Sequence, residues 1–318
     1  MKHLRYFSFC YPHAGGSVTN LILPSTFSKL YQMQTISLCT GVYVFYSDGI
    51  ANLIRWRHIN TWSYWPPVGR MKSLQTMHHF HGYMALRVLE AKREAHLAMK
   101  KRVTELKLTF HSTTDPELEA EVLEGLCPPK DLQELTIDGY NGTSYPRWMV
   151  TNQHPDAPEQ LQNLVFLYCG LQLTDVLKDS KFFTHLLNLT IKCCKWDRLP
   201  ENMERLVSLQ SLNIFSGVNN YGANKMGLLP ALPQSLRELR ISSWNCVLQN
   251  IEQLVCLQSL EIQGCDEIEH LPKLPLSLKE ICIIDCDVLC RTCQDEEHQN
   301  WRKIQHIPGK MIMSGCGT

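Results

Sequence analysis

The 318-residue sequence lacks three features that would assign it to common functional classes. It has no apolar run of 18 residues, so we expect no transmembrane helix. Residues 1–6 have no continuous apolar core and no small-residue cleavage site, so we expect no secretory signal peptide. Residues 69–73, GRMKS, are the nearest match to a phosphate-binding loop but lack its second glycine, which disfavours nucleotide binding.

The sequence also lacks net charge, although its charges are unevenly distributed. Residues 1–110 hold 14 Lys/Arg against 4 Asp/Glu, a balance of +10, whereas residues 111–318 hold 17 against 27, a balance of −10. One interpretation is drift along a long solvated surface. The other is that the basic region binds an acidic partner.

Residues 257–265, LQSLEIQGC, carry the pattern that organises the rest of the chain. The apolar residues Leu257, Leu260 and Ile262 are followed by Cys265, which gives offsets of 0, +3, +5 and +8. These offsets fit neither an amphipathic helix nor a simple alternating strand. They are typical of one leucine-rich repeat, a short strand with a buried bend on each side.

The 0, +3, +5 pattern recurs twelve times, at spacings of 20 to 29 residues, which is the range for leucine-rich repeats. Its only polar positions are His58 and His79, both at +5. The repeats begin at Leu4, Met33, Leu53, Leu74, Val103, Leu132, Leu161, Leu186, Leu209, Leu236, Leu257 and Leu278.

This periodicity predicts an α/β solenoid, a leucine-rich-repeat horseshoe of about twelve irregular repeats with a concave parallel β-sheet. We assign residues 1–286 to the solenoid, with an irregular helical insertion near 82–102, and residues 287–318 to a C-terminal cap. A further helix is predicted over residues 117–126, before two prolines, and a final apolar strand over residues 311–313.

Four of the fourteen cysteines share the +8 position of a repeat: Cys169, Cys194, Cys265 and Cys286. Free cysteine behaves as a small buried apolar residue, so we expect these four to be part of the core. Without a signal peptide, the reducing cytosol or the nucleus is the expected location.

Several segments resemble plant intracellular disease-resistance proteins of the nucleotide-binding, leucine-rich-repeat class, in the coiled-coil subgroup from grasses. They include CRTCQDEEHQNWRKIQHIPGKMIM, LPLSLKEICIIDC and LPSTFSKLYQMQTISL. The resemblance implies a non-enzymatic domain, without a cofactor, that senses pathogen proteins or guarded host proteins in innate immunity. Because the nucleotide-binding module and the coiled coil are missing, we expect the chain to be the sensor part of something longer.

The exposed positions of each repeat, +1, +2, +4, +6 and +7, predict a protein-binding surface on the concave face. These positions differ in polarity and charge from repeat to repeat, which suits the recognition of a protein. The predicted protein-binding residues are Gln133, Glu134, Thr136, Asp138, Arg237, Glu238, Arg240, Gln258, Ser259, Glu261 and Gln263.

A second predicted interaction involves the basic N-terminal repeats. Arg55, Arg57, Arg70 and Lys72 form a predicted docking patch for an acidic nucleotide-binding module supplied in trans. We expect no nucleic-acid partner.

No set of residues indicates catalysis or a metal site. Cys290 and Cys293 are followed by His298 and His306, but the two histidines lie eight residues apart, unlike the closely paired ligands of a structural zinc site.

Three alternatives remain. The substrate-reading half of a ubiquitin ligase would carry an F-box helical domain, and none precedes Leu4. A secreted leucine-rich receptor would favour asparagine at +8 and paired-cysteine caps. A truncated gene copy would have no function of its own.

Overall fold

A computed structural model of the chain describes two compact units, residues 1–161 and residues 162–318, and each is considered by itself. The residues described are 3–9, 19–38, 42–45, 55–63, 71, 73–81, 97–110, 115–150, 157–171, 181–194, 199–216, 227–244 and 246–314.

The first unit contains eight described strands, and six of them form a parallel series in the order β1-β3-β5-β6-β7-β8. The other two pair with each other, and β4 also pairs with β5. The strands are β1 (Tyr6–Phe9), β2 (Thr19–Ile22), β3 (Thr35–Leu38), β4 (Val42–Phe45), β5 (His58–Ser63), β6 (Thr76–His81), β7 (Glu105–Thr109) and β8 (Glu134–Asp138). The helices are α1 (Pro116–Gly125), α2 (Arg147–Val150) and 3-10 turns at Ser25–Lys29 and Leu97–Met99.

The second unit has seven described strands in its main parallel sheet, in the order β9-β10-β11-β13-β15-β16-β17, and β12 pairs with β14 in a small second sheet. The strands are β9 (Asn163–Leu167), β10 (Asn188–Lys192), β11 (Ser211–Phe215), β12 (Gly227–Leu228), β13 (Glu238–Ser242), β14 (Cys246–Val247), β15 (Ser259–Gln263), β16 (Glu280–Ile284) and β17 (Gly309–Met313). The helices are α3 (Asp287–Thr292), α4 (Gln299–Ile304) and 3-10 turns at Lys181–Phe183, Met203–Arg205 and Ile251–Gln253.

Neighbouring strands pair at equivalent repeat positions, as the periodicity predicts. In the second unit, Leu189 at +3 pairs with Leu164 and Leu212, which are both at +3 of their own repeats. In the repeats of the second unit the 0, +3 and +5 residues are buried; Leu260 and Ile262, for example, are fully inaccessible to solvent, whereas Phe9, at +5 of the first repeat, is 37% exposed. The leucine-rich-repeat solenoid with a parallel sheet is therefore confirmed.

The third predicted repeat is wrong by three residues. Ile59 pairs with Ile36 on one side and Met77 on the other, so Ile59 occupies the +3 position. The repeat therefore begins at Trp56, which is fully buried, and not at Leu53, which lies outside the described residues. The error arose because apolar residues recur every three positions here, so that both registers have apolar residues at 0 and +3 and a polar residue, His58 or Thr61, at +5.

His79 was expected at a core position, and this expectation is also wrong. Met77 pairs with Leu106 and Phe80 pairs with Leu108. Two residues of β6 but only one residue of β7 therefore lie between these two pairs. This β-bulge places Phe80 in the +5 register and leaves His79 as the extra residue. A fixed spacing cannot anticipate an inserted residue.

A left-handed residue ends the strand at the +7 position of six repeats. In the second unit its backbone N–H donates to the +6 carbonyl of the next strand in the sheet, as in the 2.9 Å bond from Gly264 N to Ile284 O. The following cysteine lies against the same turn: Cys265 Sγ donates to Gln263 O at 3.3 Å, and Cys286 Sγ to Ile284 O at 3.3 Å. The left-handed residues, with φ of 52° to 74°, are Gly139, Tyr168, Cys193, Ser243, Gly264 and Asp285.

The four +8 cysteines are buried, as predicted, and they are free thiols. In this position the thiol supplies a small apolar volume and a weak donor for the carbonyl two residues earlier. In each of these four repeats, the +8 cysteine therefore both fills the inside of the bend after the strand and donates a hydrogen bond to it.

The helix predicted over residues 117–126 is α1, which begins one residue earlier. Asp115 is its N-cap and accepts a 3.0 Å bond from Glu117 N, and Pro116 occupies the first helical position, where its missing N–H costs nothing. Most of the predicted insertion near 82–102 lies outside the described residues, which resume with the 3-10 turn Leu97–Met99.

The closing segment contains the helical turns and the apolar strand that the sequence predicts. Strand β17 pairs in parallel with β16, and Asn300 on α4 is buried, donating from Nδ2 to Glu269 O at 2.8 Å and accepting from Leu271 N at 3.0 Å. The assignment of residues 287–318 to a separate cap stays a prediction.

Helix α1 buries one carboxyl group, that of Glu119, which is 1% exposed. Asn141 N donates to Glu119 Oε2 at 2.7 Å, and Oε1 has no hydrogen-bond partner among the described residues. Burial raises the pKa of Glu119 above its usual value of 4.5, although the Asn141 hydrogen bond opposes the rise. The protonated form is therefore favoured more in the folded chain than in the unfolded chain.

We predict that Glu119→Gln raises the free energy of unfolding at pH 7. The raised pKa means that ionised Glu119 stabilises the fold less than protonated Glu119, so its contribution is present below pH 4.5 and is lost as the pH rises through the folded pKa. Urea unfolding at pH 7 and pH 4 should show the advantage of the variant shrinking at the lower pH. Glu117→Gln, an exposed change on the same helix, is the control. An equal advantage for both variants would contradict the prediction.

Candidate functional site

The candidate site is the exposed face of the parallel sheet in each unit. Side chains alternate along a strand, so burial of the +3 and +5 residues directs the +2, +4 and +6 residues to the opposite face. In β15, for instance, Leu260 and Ile262 are buried while Ser259, Glu261 and Gln263 are half-buried on that face. The predicted site residues at +2, +4 and +6 therefore lie on this exposed face, whereas Gln133, Arg237 and Gln258, at +1, lie just before their strands.

In the second unit, this face carries a series of linked polar side chains that we call the polar ladder. It runs across five neighbouring strands, from β9 to β15, at the +2 and +4 positions. The polar ladder consists of Asn163, Asn188, Thr190, Ser211, Asn213, Glu238, Arg240 and Glu261.

Hydrogen bonds connect the amide and hydroxyl members of the polar ladder in two groups. Asn188 Nδ2 donates to Asn163 Oδ1 at 2.5 Å, and Asn213 Nδ2 donates to Thr190 Oγ1 at 3.3 Å. Asn213 Nδ2 also lies 3.5 Å from Ser211 Oγ. These bonds restrict the rotamers of the side chains before any ligand arrives, which lowers the entropy cost of binding.

The charged end of the polar ladder is centred on Arg240. Its Nε lies 3.4 Å from Glu261 Oε2 and its Nη2 lies 3.8 Å from Glu238 Oε2. The Arg240 side chain is 52% exposed, and such solvated pairs contribute only about 0–1 kcal/mol of stability. The pairs therefore orient the guanidinium group and leave it accessible to a partner.

The remaining predicted residues of the second unit flank this cluster. Arg237 is exposed at the amino end of β13, and Gln258 accepts a 3.2 Å bond from Lys279 Nζ at its Oε1. Ser259 and Gln263 lie on β15 with Glu261 between them. All seven predicted residues in this unit thus lie on the two neighbouring strands β13 and β15 or at their amino ends.

The four predicted residues of the first unit lie on or next to β8. Gln133 and Glu134 are exposed, whereas Thr136 is half-buried. Asp138 pairs with Lys107 on the neighbouring strand, with Nζ 3.0 Å from Oδ2. Because both side chains are about one-fifth exposed, Asp138 is less available to a ligand than the sequence suggested.

The structure describes only half of the predicted basic docking patch. Arg55 and Arg57 are exposed on either side of Trp56, and Arg55 Nη1 donates to Gln32 Oε1 at 2.7 Å. Arg70 and Lys72 lie outside the described residues. The corrected register places Arg57 at +1, at the amino end of β5.

The sequence prediction missed two groups of residues on the second unit. The first is the amide and hydroxyl half of the polar ladder, which the +2 and +4 register could have found. The second is aromatic: Tyr168 is 57% exposed, and Lys192 Nζ lies 5.3 Å from the ring centroid of Phe215. Tyrosine is common at protein interfaces because its ring combines apolar contact area with a polar group.

Three buried thiols of the second unit, those of Cys246, Cys290 and Cys293, offer little nucleophilic chemistry. Burial raises the pKa of Cys246 and of Cys293 to about 12, so that both are protonated at neutral pH. Burial also raises the pKa of Cys290, whose Sγ donates to Met313 O at 3.3 Å.

The histidines that were considered as zinc ligands make other contacts. His298 Nδ1 accepts from Asn300 N at 3.1 Å and so caps α4, and His306 Nε2 lies 3.5 Å from Pro275 O. Within the described ranges, no three His, Cys, Asp or Glu side chains are grouped as metal ligands.

The described residues also contain no helix long and apolar enough to cross a membrane.

One family of known proteins matches the chain. The family described as R13L1/DRL21 LRRs matches residues 68–169, about a third of the sequence, which includes β6, β7, β8 and α1. No curated protein sequence matches the chain. Repeats of this type are generally non-catalytic protein-interaction modules. The chain is thus a leucine-rich-repeat protein whose residues 68–169 are similar to the R13L1/DRL21 repeats.

Proposed function

We propose that the chain is the non-enzymatic protein-recognition domain of a plant disease-resistance-like protein, and that it senses pathogen proteins or guarded host proteins in a defense response. The observation that carries the proposal is the polar ladder, an ordered polar surface on a regular buried frame. The match to R13L1/DRL21 LRRs and the resemblance to coiled-coil resistance proteins from grasses support the plant context.

Arg240 is the anchor that we assign to the ligand. It is half exposed, is held by two carboxylates and is central among the predicted residues of the second unit. Arginine is enriched among the residues that contribute most to binding energy, because its planar guanidinium group donates several hydrogen bonds. The neighbouring Arg237 and Gln258 add further donors and acceptors.

The proposed location is the cytosol or the nucleus. The frame uses thiols such as Cys265 and Cys286 as buried apolar groups next to each other, with Cys265 N donating to Cys286 Sγ at 3.3 Å. Such a frame suits a reducing compartment.

We predict that Arg240→Ala weakens binding of a recognised pathogen protein more than tenfold, because truncation removes the anchor and leaves Glu261 without its cation. The ligand would be identified by a two-hybrid screen of pathogen-secreted proteins and measured by titration with the full chain. Arg291→Ala, an exposed change on α3, is the matched control and should bind as the wild type does. Equal losses in both variants, or none in either, would overturn the assignment.

We further propose that the basic docking patch (Arg55, Arg57, Arg70 and Lys72) binds an acidic nucleotide-binding module in trans. The excess of 14 Lys/Arg over 4 Asp/Glu in residues 1–110 supports this interaction, and Arg57 is exposed and has no ion pair among the described residues. Solvent-exposed attraction of this kind is screened by salt, with a Debye length of about 10 Å at 0.1 M.

Pull-down of a separately expressed nucleotide-binding module from a plant resistance protein tests this second interaction. We expect capture to fall steeply between 0.05 and roughly 0.5 M salt, as the Debye length shrinks, and to be lost in the variant with Arg55→Glu and Arg57→Glu. Lys29→Glu, an exposed change on a 3-10 turn, is the control. Capture that survives both high salt and charge reversal would contradict the proposal.

A further inference from the structure

The exposed face of the second unit becomes apolar at its last two strands. At the +4 register, Glu261 on β15 is followed by a cysteine on β16 and a methionine on β17; at the +6 register, Gln263 is followed by an isoleucine and a methionine. We call this group the methionine patch. The methionine patch consists of Cys282, Ile284, Met311 and Met313.

The methionine patch is accessible among the described residues. Met311 is 52% exposed and Met313 is 55% exposed, while Cys282 and Ile284 are half-buried between the methionines and β15. Contiguous apolar surface on the exposed face of a sheet is characteristic of an interaction site. Methionine is flexible and polarisable, so such a surface adapts to the shape of a partner.

Carboxylates border the methionine patch. Glu280 is exposed at the start of β16 and Asp285 is exposed directly after Ile284. Glu261 lies beside Cys282 on the neighbouring strand, where it is already paired with Arg240. Two cations lie close by but contact other groups. Lys279 precedes β16 and its Nζ donates to Gln258, while Lys310 on β17 has its Nζ 5.7 Å from the ring centroid of Trp301. Residues 251–318 as a whole hold 6 Lys/Arg against 11 Asp/Glu, a balance of −5.

We propose that the methionine patch binds a peptide segment of a partner protein whose apolar side chains alternate with lysine or arginine. Apolar side chains would be buried against Met311 and Met313, and the cations would lie near Glu280 and Asp285. Electrostatic complementarity of this kind selects the partner and speeds its association. The inference rests on the proposed function as a protein-recognition domain and assigns the chemistry of one contact.

The direct test uses three fluorescein-labelled twelve-residue peptides with the full chain: alternating Leu/Lys, alternating Leu/Glu and alternating Ser/Lys. Fluorescence anisotropy at about 0.15 M salt, where the Debye length is about 8 Å, measures each affinity. We expect the Leu/Lys peptide to bind at least tenfold more tightly than either of the others. Equal binding of Leu/Lys and Leu/Glu would overturn the charge assignment, and equal binding of Leu/Lys and Ser/Lys would overturn the apolar one.

Variants locate the binding on the surface. Met311→Lys with Met313→Lys should weaken Leu/Lys binding at least tenfold, whereas Leu276→Lys, at an apolar side chain that is 88% exposed outside the sheet, should not. Glu280→Gln with Asp285→Asn should reduce the preference for Leu/Lys over Leu/Glu at least threefold, and asparagine tolerates the left-handed φ at residue 285. Unchanged binding in the double methionine variant would overturn the proposal.

Two further outcomes are decisive. If sedimentation shows a dimer that the double methionine variant abolishes, the patch is covered by a second copy of the chain, and the proposal is overturned. If Arg240→Ala has no effect on any pathogen protein but the peptide preferences hold, the proposed anchor fails while the methionine patch stands. Near-ultraviolet circular dichroism of each variant confirms that the fold is retained.

Discussion

The structure depends on one constraint, the in-register pairing of parallel strands whose +3 and +5 side chains are buried together. Each repeat contributes one short strand and cannot bury its apolar side chains alone, so a repeat is stable only when it is stacked. Because side chains alternate, the same constraint directs +2, +4 and +6 to the opposite face. The buried +3 and +5 side chains form the frame, and the +2, +4 and +6 side chains form the exposed face. Both follow from one register.

The bends that follow the strands allow this register to repeat. A left-handed residue at +7 turns the chain away from the sheet while its N–H still bonds to the next repeat, and the buried +8 thiol occupies the inside of the turn. Non-glycine residues such as Tyr168 and Asp285 adopt this conformation at a cost of roughly 1–2 kcal/mol, which the surrounding hydrogen bonds offset. The +8 cysteines are therefore structural, and the exposed face of the sheet is where we propose that recognition occurs.

The sequence predicted most of the frame because periodic burial is a strong signal. It predicted the positions of Leu260, Ile262 and Cys265, and the helix that begins after Asp115. It failed at Leu53, since Trp56 and Ile59 satisfy the same spacing, and at His79, since a bulge inserts a residue that spacing does not show.

The candidate site was predicted only in part, for a different reason. Positions on the face follow from the register, so Glu238, Arg240 and Glu261 were found, but their mutual contacts require the packing of neighbouring strands. Residues 311–313 were recognised as an apolar strand, yet only the pairing with β16 shows that Met311 and Met313 lie on the exposed face.

The most direct test of the account compares two neighbouring residues of β15, Leu260 and Glu261. Leu260→Ala should lower the free energy of unfolding by about 2–5 kcal/mol, because it leaves a cavity in the frame. Glu261→Ala should change it by less than about 0.5 kcal/mol, yet weaken binding of a recognised protein at least tenfold. Urea unfolding and titration with the same ligand measure both quantities. A stable Glu261→Ala variant that binds as tightly as the wild type would contradict the division between frame and face.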